Sequence, residues 1–251
     1  MITLAVAPLT KTFLIAIRLG TVVLFSPIEA IRLLPVHTRL ILVLILSAIM
    51  MANVTMPDGD LDDLSLVSGA ICELCNGLIL SLSLYACFAV FQIAGQLIDT
   101  QMGLNSLAIL NPADHSHDPL SSRLLMMLAV LFFFALNGHQ KLIQNLALSF
   151  TLIPPGKPLV FDGFSPIIQQ FSLMFSFGFM LAAPIVIGLL IVDISAAVLT
   201  RNMPQISTYF LSLPVKIMLG FFMFILLLNY VSPFMDKLFQ LSAQSFRAVM
   251  R

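Results

Sequence analysis

Among the ionisable side chains inside or at the ends of long hydrocarbon runs, Glu73, Asp99, Asp193, Arg201 and Lys216 are the ones that could line an ion pathway. A bare charge in such surroundings is costly, so groups of this kind pair with one another, pair with a neighbouring subunit, or line an ion pathway. Interhelical or intersubunit pairing is the commoner use, and a transporter is the competing class. A third class is an intramembrane aspartyl protease, which needs two carboxylates face to face. Asp99 and Asp193 are the only candidates for it, and neither is flanked by residues of such a site. His139, in Asn137-Gly138-His139, could relay a proton, but with no placed carboxylate partner a packed, hydrogen-bonded side chain is the plainer expectation. The tetrad Cys72-Glu73-Leu74-Cys75 sets two sulfurs one helical turn apart. Four ligands are not completed, because there is no second cysteine pair and nothing brings His115 and His117 near. No nucleophile, base and orienting group converge, so the sequence assigns no catalytic residue, metal or cofactor.

The elements that must position these groups are apolar. Of 251 residues 59% are hydrophobic and 10% charged, with mean hydropathy +1.04, which places the chain among all-α integral membrane proteins. Net charge is zero and no block of like charge exists, arguing against nucleic acid as a partner. The three cysteines sit in or beside apolar runs and are expected to pack as small hydrophobes. No small-residue cleavage site follows the apolar N-terminus, and no removable signal peptide is expected.

About six apolar runs follow, some too short for simple lipid spans. Residues 4–25 carry Lys11 and Arg18 seven positions apart, on one face that must snorkel or point at protein. A mildly basic connection, 29–39, leads to a run over 40–54 that reaches only ~23 Å as helix. The acidic turn 56–63 and that basic connection orient the chain with its N-terminus outside. After the run 64–94 comes a polar interruption, 94–119, in which Asp99 lies on a last helical turn and Gly103 releases the backbone. Runs 124–136 and 142–153 flank Asn137-Gly138-His139 and imply a broken helix. The run 171–199 is expected to kink at Pro184. Asp193 and Arg201 share a face of it but lie ~12 Å apart along the axis, so each needs a partner elsewhere. Pro214 is expected in the first turn of the last run, 213–231, followed by a loosely amphipathic tail, 232–251. Six spans would leave this basic tail outside, against the positive-inside rule, so at least one run is expected not to cross.

Several motifs resemble the FliR family of the bacterial flagellar type III export apparatus, to which SctT of the virulence injectisome is related. They are Ala94-Gly95-Gln96 running into Gln101-Met102-Gly103, Asn111-Pro112, Asn137-Gly138-His139, Ser149-Phe150 with Pro154, Ala183-Pro184, Arg201 with Pro204-Gln205, and Pro214 with Lys216. Their order and spacing match from about residue 13 to 231. Asn137-Gly138-His139 is more like the flagellar branch, whereas Leu97-Ile98-Asp99 and Ala182-Ala183-Pro184 look like the injectisome branch.

The resemblance implies one membrane-embedded export-gate domain over 1–251, with a FliP-like N-terminal and a FliQ-like C-terminal portion. It further implies bent helical hairpins in a helical hetero-oligomeric ring in the bacterial inner membrane, within the flagellar basal body. The implied partners are FliP-like and FliQ-like subunits, a FlhB-like switch protein and unfolded secreted substrates. The family's plug loop matches Gly103, Leu104, Asn105, Ser106, Leu107, Ala108, Ile109, Leu110, Asn111 and Pro112, within a segment that runs on to Pro119. Two positions depart from the family pattern, Ser106 where a bulky residue is frequent and Asn111 where Asp is common. Glu73, Asp99, His139, Asp193, Arg201 and Lys216 are then the intersubunit or intramembrane polar positions.

Overall fold

The computed structural model describes residues 2–52, 66–104, 120–157, 165–203 and 208–249. They form α1 (Ile2–Leu24), α2 (Glu29–Arg32), α3 (Val36–Met51), α4 (Leu66–Met102), α5 (Leu120–Ala135), α6 (Gly138–Leu152), α7 (Ser165–Asn202) and α8 (Thr208–Val249). Every element among the described residues is helical, as composition required.

Among the described residues three helical segments are long and apolar enough to cross a membrane, Leu66–Met102, Ile167–Asn202 and Ser212–Val231. The pair α5 and α6 counts as a fourth span only if taken together, bent by 73°. The expected break in that pair is present. Its cause is Asn137, with φ 55° and ψ 32°, a left-handed conformation that asparagine tolerates better than most residues. Its carbonyl accepts the Gln140 and Lys141 amides at 3.0 and 3.2 Å and so starts α6. A side chain at Gly138 would meet the Phe133 carbonyl at 2.7 Å, which accounts for the glycine.

The expected last helical turn at Asp99 and release of the backbone at Gly103 are present, since α4 runs to Met102 and Gly103 has φ 78°. Two other sequence expectations need correction. Pro214 is not in a first turn, since α8 begins at Thr208. The tail is not a separate element either: α8 runs through Pro233 to Val249. At 1.5 Å per residue α4, α7 and α8 are ~56, ~57 and ~63 Å long, well beyond a hydrocarbon core of ~30 Å. A helix of that length must leave the hydrocarbon or lie steeply tilted in it.

The chain divides into two compact units, and α4, α5, α7 and α8 each contribute to both. Unit 1 holds residues 1–87, 133–171 and 238–251. Its core gathers Ile15, Leu19 and Val22 of α1, Val43 and Met50 of α3, Leu80 of α4, and Leu146 and Phe150 of α6. The α1 members recur at helical spacing, and Arg18 lies on the same face. Unit 2 holds residues 88–132 and 172–237. Phe91, Ala94, Ile98 and Met102 of α4 are buried there, as are Leu125 and Ala129 of α5 and Ile185 and Leu189 of α7.

Candidate functional site

In unit 1 the buried side chains of Glu73 and Ser149 converge on Arg18, which is fully buried. Nε and Nη2 of its guanidinium donate to Oε2 and Oε1 of Glu73 at 2.6 and 2.8 Å. Nη1 donates to the carbonyl and hydroxyl oxygens of Ser149 at 3.1 and 3.3 Å, and Nη2 donates to the Ile153 carbonyl at 3.1 Å. Five donor contacts match the five N–H groups that an arginine carries. The Phe150 ring lies 4.4 Å from the guanidinium carbon, adding a cation–π contact.

Glu73 is fully buried as well and accepts a further bond from the Gly156 amide at 2.8 Å. The turn that presents this amide needs Gly156 at φ 87°, and the Lys157 amide closes it on the Pro154 carbonyl at 3.1 Å. Thus Ser149, Phe150 and Pro154 form one cradle. Other polar residues of α4 in this unit also reach separate elements. Asn76 donates to the Lys157 carbonyl at 3.0 Å, Ser81 to the Phe25 carbonyl at 3.2 Å, and Gln170 of α7 donates to both oxygens of Ser83. Gly77 lets α1 approach: a β-carbon there would clash with the Thr21 hydroxyl and sit 2.9 Å from the Arg18 carbonyl.

Two further nodes lie in unit 2. Asp99 is fully buried, and its carboxylate accepts the Ser121 amide at 2.9 and 3.1 Å and the Ser122 amide at 3.4 Å. Its main-chain carbonyl accepts the Leu104 amide at 3.1 Å, while Gly103 donates to the Thr100 carbonyl at 3.2 Å. With Gly103 at φ 78°, these are the two bonds of a Schellman ending to α4. Asp193 of α7 pairs with Lys216 of α8 and accepts from Gln101 of α4 at 2.9 Å. This pair is partly open, with side-chain exposures of 38% for Asp193 and 17% for Lys216.

The remaining expected positions divide. Asn105 to Pro112 lie outside the described residues, so only Gly103 and Leu104 of the plug positions are placed. His139 packs its ring against Phe134, centroids 5.7 Å apart, but its buried Nδ1 lacks the expected hydrogen bond among the described residues. Arg201 is exposed in the last turn of α7 and has no partner among the described residues. A cation there suits the partial negative charge of a helix C-terminus. The partner expected for Asp193 is present and is Lys216.

Asp99 and Asp193 are not a dyad, because each carboxylate is bonded to other groups. An open groove of about 400 Å³ along α1 and α3 is lined by Leu9, Phe13, Ala16, Leu44 and Leu66 among others and offers little polar surface for chemistry. Among the described residues no cluster of three metal-ligating side chains occurs. Sequence reading missed Arg18 as the partner of Glu73, Ser121 and Ser122 as partners of Asp99, and Gln101 as a partner of Asp193. The one available signal was that Ser149-Phe150, Pro154 and Gln101 already stood among the family-like motifs.

Residues 9–242 match the family described as bacterial export proteins, family 1. The chain is 29% identical over 224 residues to the flagellar biosynthetic protein FliR of Escherichia coli K12, covering 89% of this chain and 86% of that one. It is 27% identical over 243 residues to FliR of Bacillus subtilis, covering 94% and 93%. It is also 27% identical over 150 residues to the surface presentation of antigens protein SpaR of Shigella flexneri, covering 60% and 58%. With the family spanning nearly its whole length, the chain belongs to the bacterial export proteins of family 1.

Proposed function

We propose that this chain is a noncatalytic core subunit of a flagellar type III protein export gate in the bacterial inner membrane. In this reading it forms part of the conduit for unfolded proteins, together with FliP-like and FliQ-like subunits and a FlhB-like switch protein. One observation carries the reading, namely similarity to flagellar FliR along about nine tenths of both chains. The geometry supports it: the polar groups inside the apolar helices are used to join helices, as a load-carrying frame requires, and not to line a reaction cleft. The similarity to SpaR favours an injectisome gate as the second reading, over a shorter stretch of both chains.

The plug is assigned to the segment following Gly103, with Leu107, Ile109 and Leu110 packing softly enough for a passing chain to displace them. The FliP-like and FliQ-like division of the chain is part of the same proposal. Deleting Leu107 to Leu110 in the assembled complex is expected to raise ion conductance across the membrane. Unchanged conductance overturns the plug assignment. Extraction in mild detergent with the partner subunits co-expressed, followed by intact-complex mass measurement, tests the gate itself. A lone monomer under those conditions overturns it.

A further inference from the structure

The N-terminus of α5 is capped from outside its own segment. A helix presents unsatisfied amides in its first turn, and the preceding residue usually satisfies them with a side-chain oxygen placed at the second or third amide. Here the preceding residue is Pro119, which has no side-chain acceptor. The second and third amides, those of Ser121 and Ser122, are bonded to the carboxylate of Asp99, more than twenty positions back in the chain. A negative group at this place also suits the helix dipole.

The face of α4 is built for this approach. Gln92, Gly95 and Asp99 recur at helical spacing. The Gln92 carbonyl accepts the Ser122 hydroxyl at 3.4 Å, and a β-carbon on Gly95 would overlap the Ser122 backbone and lie 2.8 Å from its Cβ. Asp99, Ser121 and Ser122 are all buried. The same residue accepts the Leu104 amide through its main-chain carbonyl, so it also takes part in ending α4.

We infer that Asp99 is a positioning residue that acts as a remote N-cap, fixing where the chain leaves α4 and where it re-enters helix at α5. Its carbonyl holds the point of departure, and its carboxylate holds the point of return. Connected to the proposed export gate, this would set the two roots of the plug, but the inference and its test stand apart from that reading.

The test uses the full-length chain in membranes, with native cysteines replaced by serine and cysteines placed at Leu104 and at the exposed Leu120. Cross-linking by a short bismaleimide reads whether the two roots stay together. Amide hydrogen exchange reads capping. Asp99→Ala is expected to lower the cross-link yield several-fold and to speed exchange at Ser121 and Ser122 by roughly tenfold, the size of a lost cap. Adding Pro119→Asp supplies a local cap, and is expected to restore slow exchange without restoring the cross-link. An unchanged cross-link yield in Asp99→Ala overturns the inference. Recovery of both signals by Pro119→Asp also overturns it, because Asp99 would then be a cap and nothing more. Should Asp99→Ala fail to accumulate, Asp99→Asn, which removes the charge and one acceptor, is judged by the same two signals. Neither signal involves conductance, so failure of the plug assignment and failure of this inference remain distinct.

Discussion

Two ion pairs in this molecule join apolar helices in different ways. Arg18 and Glu73, in unit 1, are sealed from solvent, joined by two bonds, and surrounded by three further donor contacts to main-chain and hydroxyl oxygens, an amide and an aromatic ring. Asp193 and Lys216, in unit 2, meet with one supporting amide, from Gln101, and remain partly open. Desolvating two charges costs several kcal/mol each, and only a saturated geometry repays it. The first pair has that geometry. The second avoids much of the cost by staying partly exposed, so its strength depends on what surrounds it. One pair is a fixed joint, and the other can be adjusted.

The comparison can be broken most directly at Glu73. Glu73→Ala strands a buried guanidinium and is expected to cost about 3–5 kcal/mol, read as a fall in the thermal midpoint of the detergent-solubilised protein. A loss of under 1 kcal/mol would place the two pairs in one class. Replacing both partners, Arg18→Met with Glu73→Leu, is expected to recover part of this stability. It cannot recover all, because the Ile153 carbonyl and the Gly156 amide lose their partners, while the Ser149 carbonyl keeps only the Ile153 amide. Gly77→Ala forces α1 away from α4 and is expected to cost about 1–3 kcal/mol by overpacking. Its double-mutant cycle with Glu73→Ala should show coupling, since Gly77 lies against the Arg18 carbonyl.

The smallest effect belongs to the open pair. Lys216→Met is expected to change stability by about 1 kcal/mol or less. Raising salt from about 0.1 to 1 M should shrink that difference, and should leave the cost of Glu73→Ala unaltered, because screening reaches exposed charges and not sealed ones. An effect of Lys216→Met that is both large and salt-independent would show that a partner or lipid seals the second pair too.

Much of the framework was legible in the sequence, and the partnerships were not. The break at Asn137-Gly138 could be read because its cause is local: one residue tolerant of a left-handed backbone and one without a side chain. The face carrying Arg18 was legible from spacing. Its partner was not, since Glu73 lies 55 positions away and several of the other contacts are to main-chain atoms, which side-chain patterns do not reveal. The place of Asp99 on a last helical turn is legible, and its carbonyl, which accepts the Leu104 amide, fits that reading. Its carboxylate serves α5, a fact hinted at only by Pro119, a residue unable to cap the helix that follows it. The unbroken reach of α8 is not legible in this way, because its polar, proline-containing end, 232–249, looks like a separate element by composition while the helix continues through it.

The arrangement at Asp99 has an evolutionary consequence. When one residue holds both roots of an excursion, the helices on either side no longer depend on how long the excursion is. Closure entropy grows slowly, so doubling the intervening chain costs only about 0.6 kcal/mol more. Between Leu104 and Leu120, insertions and deletions are therefore expected to be tolerated while α4 and α5 keep their register.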